Sequence, residues 1–140
     1  MQPFNLQRFV DAQAPVWEDV RAELRHARKR THWMWFVFPQ LAGLGRSGTA
    51  QFYGISGSDE ARAYLDHPVL GPRLLECCDL LLEGARATAS DVFGNVDAMK
   101  LRSCLTLFDT VAPSTSVFKQ CLDRYFAGER DPLTIRMLAQ

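Results

Sequence analysis

The residues best suited to chemistry lie in one short stretch of the chain, from Lys29 to Gln40. His32 is a candidate general acid or base, because the imidazole side chain as a type can exchange protons near neutral pH. Trp33 and Trp35 could stack a flat ring such as a base or nicotinamide, and Gln40 could read the polar edge of that ligand. Lys29 adds a positive charge beside them. Together these residue types predict a pocket for a nucleotide-like anion.

The backbone conformation of this apolar stretch decides whether the two indoles can act together. Trp33 and Trp35 diverge by about 200° on a helix, whereas they share one side of an extended chain. Periodicity does not separate helix from buried strand in an unbroken apolar run, but the proline that follows disfavours helical geometry at Phe38. We predict a helical turn that ends near Phe36, followed by extended chain. Met34, Phe36 and Phe38 are predicted core residues, and the alternative is that both indoles belong to the core as well.

A glycine-rich loop follows, and it offers groups that hold anions. Its central string is Gly43-Leu44-Gly45-Arg46-Ser47-Gly48, which combines backbone amides with one guanidinium. Ser47 is a candidate N-cap for a short helix, and helix N-termini favour anions. Arg46 and the loop amides could therefore hold a phosphate. The alternative is a flexible connector between helices.

Three further candidates lie on predicted helices farther along the chain. Asp97 and Lys100 form an i,i+3 pair, in which Asp97 is a second candidate acid or base and Lys100 a candidate anion contact. They matter only if their helix faces the loop of His32, and otherwise they form a solvated surface. His67 precedes Pro68 at a helix junction, so it is either a ligand contact or a structural cap.

The elements that must position these residues are predicted to be helices. No alternating strand pattern occurs, and apolar residues recur at helical spacing in three long segments, namely Val16 to Ala27, Pro68 to Ala85 and Val96 to Val111. A linker is expected at 84–95, with Asn95 or Asp97 as the N-cap of the helix that follows. We predict an all-α fold over residues 1–140: a compact single-domain bundle of about six to eight helices, with a glycine-rich loop region at 41–57.

Composition places the chain among folded single domains. Its 140 residues are 47% hydrophobic and 23% charged, which suffices for a core. Lysine plus arginine balance aspartate plus glutamate at 16 each, which argues against binding to nucleic acid or to a membrane surface. No apolar run approaches the roughly 18 residues of a membrane span, and the first residues lack the features of a signal peptide. We therefore expect a cytoplasmic protein, whose oligomeric state is left open.

No sequence motif indicates a metal or a cofactor. Walker A, dinucleotide-binding, nucleophile-elbow and zinc-protease patterns do not occur. The cysteines lack zinc spacing and fall in apolar helical patterns, as small hydrophobic side chains of a reduced core do. They are Cys77, Cys78, Cys104 and Cys121. We expect neither a bound metal nor a bound cofactor.

Several strings spread along the chain carry a family resemblance. They are Arg28 to Gln40 with Gly43-Leu44-Gly45, Tyr53-Gly54-Ile55, His67 to Gly71, Phe93-Gly94 and Asp97 to Leu101. Through them the sequence resembles, over nearly its whole length, the bacterial domain-of-unknown-function family 1810. The resemblance implies an all-helical single domain of about this size and no settled activity. Members often carry the label "calpastatin", after a long, polar, disordered protease inhibitor, whereas this composition is that of a folded domain.

A second resemblance concerns the order of the motifs. A basic-aromatic motif, a helix with Glu60-Ala61 and a helix with Asp97-Ala98-Met99-Lys100 follow one another. This order is similar to that of the NADAR family, which acts on ADP-ribose-type N-glycosidic bonds. The similarity does not extend to residue strings, because His32-Trp33-Met34-Trp35 stands where that family has its catalytic glutamate.

The sequence leaves two kinds of function open. The first is a pocket for a nucleotide-like or ADP-ribose-like anionic ligand around His32, Trp33, Trp35 and Gln40, with or without catalysis. The second is a non-catalytic protein-interaction module, whose contact surface would be an exposed aromatic patch from Trp33 to Phe38. Convergence of the polar candidates on one concave pocket would favour the first.

Overall fold

The computed structural model describes residues 4–84 and 87–139, and its regular elements are helices. The helices are α1 Gln7–Gln13, a 3-10 turn Ala14–Val16, α2 Trp17–Arg25, α3 Met34–Val37, α4 Gly48–Phe52, α5 Ser58–Asp66, α6 Leu70–Glu83, α7 Ala89–Val111, α8 Val117–Phe126 and α9 Pro132–Leu138. Eight of the α-helices have five or more residues, and α3 is a single turn. The predicted all-α class is confirmed.

The long helix α7 lies at the centre of the packing. It contacts α5, α8 and α9, while α6 packs against α2, α5 and α8. Residues 101–109 of α7 are buried except for the partly exposed Arg102, and they include Leu101, Leu105, Leu107 and Phe108. A helix segment that is enclosed on most sides belongs inside a bundle, and each fully buried apolar side chain contributes roughly 1.5–3 kcal/mol. The half of α7 before this segment is more exposed, and one of its faces borders a cleft.

Local capping signals explain where several helices begin. The Ser47 hydroxyl accepts a hydrogen bond from the backbone N–H of Ala50 (3.0 Å), so Ser47 is the N-cap of α4 as predicted. Asp131 caps α9 by accepting from the Thr134 N–H (3.2 Å), and Pro132 occupies the first helical position. Both caps involve only residues close in sequence.

The start of α7 differs from the prediction. The helix begins at Ala89, so most of the linker expected at 84–95 is helical, and residues 85 and 86 lie outside the described chain. Thr88 and Asp91 form a capping box, in which each side chain accepts a hydrogen bond from the other residue's N–H. The expected break survives as a kink at Gly94, whose φ of 79° is open to glycine at little cost. The helix resumes directly after the kink.

The apolar run around α3 is a helical turn that leads into extended chain. The turn ends at Val37, one residue later than predicted, and Phe38 has non-helical angles (φ −122°, ψ 71°) before the proline. Met34 and Phe38 are buried as predicted. Phe36 is half-buried against the ring of Tyr53, at a centroid distance of 5.3 Å. The run is thus an internal part of the fold, and only Phe36 and its neighbour Trp35 are partly accessible.

The predicted burial of the cysteines is observed, and the glycine-rich region contains one bridge that was not predicted. The cysteines are buried and free, and burial raises the pKa of the Cys77 and Cys104 thiols. Leu41 and Ile55 form a parallel bridge that closes the glycine-rich loop region, although no strand occurs among the described residues. None of the helices in the described ranges is long and apolar enough to cross a membrane.

Candidate functional site

An open cleft of about 470 Å³ lies where α3, the glycine-rich loop, α7 and the start of α9 meet. Its lining combines one indole with several polar side chains, and together these residues come from four separate parts of the chain. They are Trp35, Gln40, Arg46, Lys100, Ser103 and Asp131. A concave surface that combines an aromatic ring with a few convergent polar groups is typical of a ligand site. The cleft is therefore the candidate functional site.

One face of α7 forms a wall of the cleft. Val96, Met99, Lys100 and Ser103 all line it, and their spacing of three or four residues places them on one side of the helix. The kink at Gly94 immediately precedes this face and sets its direction. The wall is apolar at one end and polar at the other, because Val96 and Met99 are exposed hydrophobic residues.

Two salt bridges connect the basic segment after α2, residues 28–30, to this wall of the cleft. The Lys29 ammonium lies 2.9 Å from Asp97 Oδ2, and the Lys100 ammonium lies 3.5 Å from Asp97 Oδ1. Lys100 also lies over the Trp35 ring, with its Nζ 4.5 Å from the ring centroid. A cation at this distance attracts the ring by about 0.5–1 kcal/mol when partly exposed. Asp97 therefore holds Lys100 near the indole, and Lys29 in turn holds Asp97.

Lys29 lies behind the cleft and spans the kink of α7. Its side chain is only 7% exposed. Its backbone N–H donates to the Val92 carbonyl (2.7 Å), before the kink, while its ammonium binds Asp97, after the kink. Lys29 is thus a structural partner of Asp97 and does not line the cleft.

Glu23 on α2 fixes the basic segment that carries Lys29. Its carboxylate accepts four hydrogen bonds, from the Arg30 N–H (2.6 Å), the Thr31 N–H (3.0 Å), the Thr31 hydroxyl (2.7 Å) and the Trp33 indole N–H (3.0 Å). Burial of the carboxylate opposes ionisation, but these bonds outweigh it and lower the pKa of Glu23. Sequence patterns do not indicate this role, because the partners lie seven to ten residues away across a turn.

The glycine-rich loop presents Gln40 and Arg46 from the opposite side. The Gln40 carbonyl accepts from the Ile55 N–H (2.9 Å), which fixes the backbone at the start of the loop. At Gly45 a Cβ atom would lie 2.6 Å from the Cβ of Ala50, so a residue without a side chain is required there for the loop to pack on α4. Arg46 follows directly and is exposed at the edge of the cleft.

The floor at the C-terminal side is built by α9 packing on α7. The Ser103 hydroxyl donates to Asp131 Oδ2 (3.1 Å), and the Asp131 N–H donates to the Thr106 hydroxyl (2.9 Å). Arg102 adds two hydrogen bonds to the carbonyls of Glu129 (3.0 Å) and Arg130 (2.6 Å). These contacts attach the chain before α9 to α7 and hold Asp131 in the cleft wall.

Four of the residues predicted from sequence come together in the cleft. Trp35, Gln40, Arg46 and Lys100 line it, and Asp97 contacts Lys100 from behind. The sequence missed Ser103 and Asp131. Ser103 is detectable as the residue three positions after Lys100 on the same helical face. Asp131 carries no such signal, because it reaches the cleft through tertiary packing alone.

The other predicted site residues lie elsewhere. Trp33 is fully buried, and its indole N–H is used by Glu23, so it cannot stack a ligand in this cleft. His32 is exposed and does not line the cleft, which leaves it without contact to a ligand bound there. His67 caps α6, since its Nδ1 accepts from the N–H groups of Val69 (3.1 Å) and Leu70 (3.3 Å). No group of three or more potential metal ligands occurs within residues 4–84 and 87–139.

The fold is helical, the cleft combines an aromatic ring with cationic side chains, and the comparisons supply the family. The chain belongs to the family described as "Protein of unknown function (DUF1810)", whose model matches residues 3–138. It is 49% identical to the conserved hypothetical protein Rv1873 from Mycobacterium tuberculosis, whose crystal structure matches with a TM-score of 0.98 over 99% of each chain. Comparison with curated proteins gives no match. The resemblance to family 1810 is thus confirmed, whereas similarity to the NADAR family is not shown.

Proposed function

We propose that the protein binds a small anionic ligand that carries a planar ring, of nucleotide or ADP-ribose type, in the cleft. The observation that supports this is the meeting of the Trp35 indole with two cationic side chains, Lys100 and Arg46, in one opening. These three residues come from α3, α7 and the glycine-rich loop, so their proximity is a property of the tertiary structure. Local sequence does not produce it.

The arrangement suggests how the two parts of such a ligand would be held. The anionic group would lie between Lys100 and Arg46, where each cation at about 4 Å contributes between about 1 and 4 kcal/mol of attraction before desolvation is counted. The planar ring would pack beside Trp35 and Met99, and the Gln40 carboxamide would bond to its polar edge. Asp97 would act as a positioning residue for Lys100, because both of its oxygens already face ammonium groups.

Calorimetric titration with AMP, NAD and ADP-ribose tests this proposal. Lys100→Gln and Arg46→Gln should each weaken binding about 10- to 100-fold, the effect of losing one charged hydrogen bond. Lys119→Gln on α8 and Arg62→Gln on α5 are matched controls, because both side chains are exposed and distant from the cleft lining. Absence of binding to all three ligands at millimolar concentration would refute the proposal. So would equal effects of the cleft variants and the controls.

The interaction-module alternative needs a different surface from the one predicted. Residues 33–38 do not form an exposed aromatic patch, because four of the six are buried. The rim of the cleft instead exposes Val96 (71%), Met99 (58%) and Leu133 (46%). A partner segment with apolar side chains next to acidic ones would fit this rim and the cations beside it. A peptide-display screen that enriches such segments on the wild-type protein but not on Met99→Lys would favour this alternative.

A further inference from the structure

We infer that the ligand of the cleft also carries hydroxyl or amino groups that donate hydrogen bonds to Asp131, and that it bears few negative charges. The inference rests on the proposed function and adds the chemical class of the ligand. The starting observation is the one carboxylate in the cleft lining, Asp131. A carboxylate does not favour an anion, so it indicates that another part of the ligand donates hydrogen bonds.

Asp131 has one oxygen in use and one available. Its Oδ2 accepts hydrogen bonds from the Ser103 hydroxyl, the Thr134 N–H and the Thr134 hydroxyl. Its Oδ1 has no donor among the residues that the structure describes, although Asp131 is part of the cleft wall. A carboxylate can accept about four hydrogen bonds, so this oxygen can take further donors. Hydroxyl and amino groups are the ligand groups that match a free carboxylate oxygen.

The acceptor is held against the same helix, α7, that carries Lys100. Asp131 is fixed from both sides, since its N–H is bonded to Thr106 and its Oδ2 to Ser103 and α9. Ser103 follows Lys100 by three residues, which corresponds to a rise of about 4.5 Å along α7. A ligand that contacts both Lys100 and Asp131 would therefore carry its anionic group and its donor groups on neighbouring parts of the molecule. A phosphorylated sugar meets this condition.

The charge of the lining sets an upper limit on the charge of the ligand. Arg46 and Lys100 contribute two positive charges and Asp131 one negative charge, which leaves a formal net charge of +1. The Lys29–Asp97 pair behind the wall adds none. A triphosphate would bring additional negative charge close to Asp131, and like charges repel at short range. The geometry thus favours a nucleoside monophosphate, or a similarly charged sugar phosphate, over a triphosphate.

Titration of the full-length protein with AMP, 2′,3′-dideoxyadenosine monophosphate and ATP tests the inference. AMP should bind the wild type about tenfold more tightly than the dideoxy compound, and ATP should bind no more tightly than AMP. In Asp131→Asn the amide oxygen can still cap α9, while an N–H₂ group replaces the free acceptor. This variant should lose the tenfold preference for AMP and bind the dideoxy compound as the wild type does. Asp123→Asn, on the exposed surface of α8, is the matched control.

Each other outcome overturns a defined part of the reasoning. Equal wild-type affinities for AMP and the dideoxy compound would overturn the role of Asp131 and leave the proposed function intact. Tighter binding of ATP by tenfold would overturn the charge limit. Binding of ADP-ribose without any binding of AMP would overturn the ligand class alone, whereas failure of all ligands would overturn the proposed function as well. If Asp131→Asn does not fold, the wild-type affinities for AMP and the dideoxy compound still test the inference.

Discussion

Replacement of Glu23 by glutamine is the sharpest test of how the basic segment is held. Glu23 is 9% exposed, and its carboxylate accepts four hydrogen bonds, one of them from the fully buried Trp33 indole. Glutamine has nearly the same shape, and its amide oxygen can still accept from the backbone N–H groups and the indole. Glu23→Gln therefore removes the charge and keeps most of the geometry.

The expected loss of unfolding free energy in Glu23→Gln follows from replacing hydrogen bonds to a charged acceptor by hydrogen bonds to a neutral one. A hydrogen bond to a charged group contributes about 1.5–3 kcal/mol, against about 0.5–1.5 kcal/mol for a neutral one. The four bonds share one charge, and three of the four donors belong to the exposed residues Arg30 and Thr31. We therefore expect a loss of about 2 kcal/mol in the free energy of unfolding and not the full sum. For a chain of this size, that loss lowers the melting temperature by roughly 4–8 °C. Glu23→Ala, which leaves the Trp33 indole N–H without an acceptor, should cost about 4 kcal/mol.

The pH dependence provides a second readout with a definite sign. The fold lowers the pKa of Glu23 below its ordinary value of 4.5. A lowered pKa means that the ionised group stabilises the fold above that ordinary value, and that this contribution is lost as the pH falls through the lowered value. The difference in unfolding free energy between wild type and Glu23→Gln should therefore be full at about pH 7 and smaller at about pH 3.5.

Denaturant unfolding followed by tryptophan fluorescence, together with melting curves, measures both effects. Glu83→Gln at the exposed end of α6 is the matched control and should change the unfolding free energy by less than about 0.5 kcal/mol. A Glu23→Gln protein as stable as the wild type at about pH 7 would refute the anchoring role. A difference that stays constant down to about pH 3.5 would refute its assignment to the ionised carboxylate.

Three further changes test the packing. Ala127→Gly should stabilise the protein by about 0.5–1 kcal/mol in thermal unfolding, because Ala127 has a left-handed φ of 54° at the end of α8; a loss of stability would contradict this. Gly71→Ala should destabilise it by about 3 kcal/mol or more, since a Cβ there would lie 2.1 Å from the Leu65 carbonyl oxygen, and an unchanged melting temperature would show that α6 can shift freely. The four buried cysteines are Cys77, Cys78, Cys104 and Cys121. A thiol reagent at about pH 8 should modify them only as the fold opens, and reaction at the rate of a free thiol would refute their burial.

The sequence predicts those parts of the fold that depend on nearby residues. Helical periodicity, the cap at Ser47 and the break before Pro39 all involve residues a few positions apart, and the structure has each of them. The capping box at Thr88 and Asp91 was equally local but was missed, because the glycine at position 94 suggested a linker.

The site was predicted only in part, because its members are joined by tertiary contacts. The cluster of Trp35, Gln40 and Arg46 is short in sequence and could be inferred from residue types. Whether a particular indole faces the cleft or the core depends on Glu23, which takes up the Trp33 N–H from another helix. Asp131 likewise reaches the cleft only through contacts that span 25 to 28 residues. Periodicity carries no information about such pairings.

Lys29 also determines how stiff the wall of the cleft is. A glycine in the middle of a helix is a natural hinge, because its backbone angles are the least restricted of any residue. Bending of α7 at Gly94 would change the distance between Val92 and Asp97. Because Lys29 is bonded to both of them, it opposes that bending. The two segments of α7 are thereby coupled mechanically, and contacts within the protein set the orientation of the wall. A site that is held in place in this way loses little conformational entropy on binding.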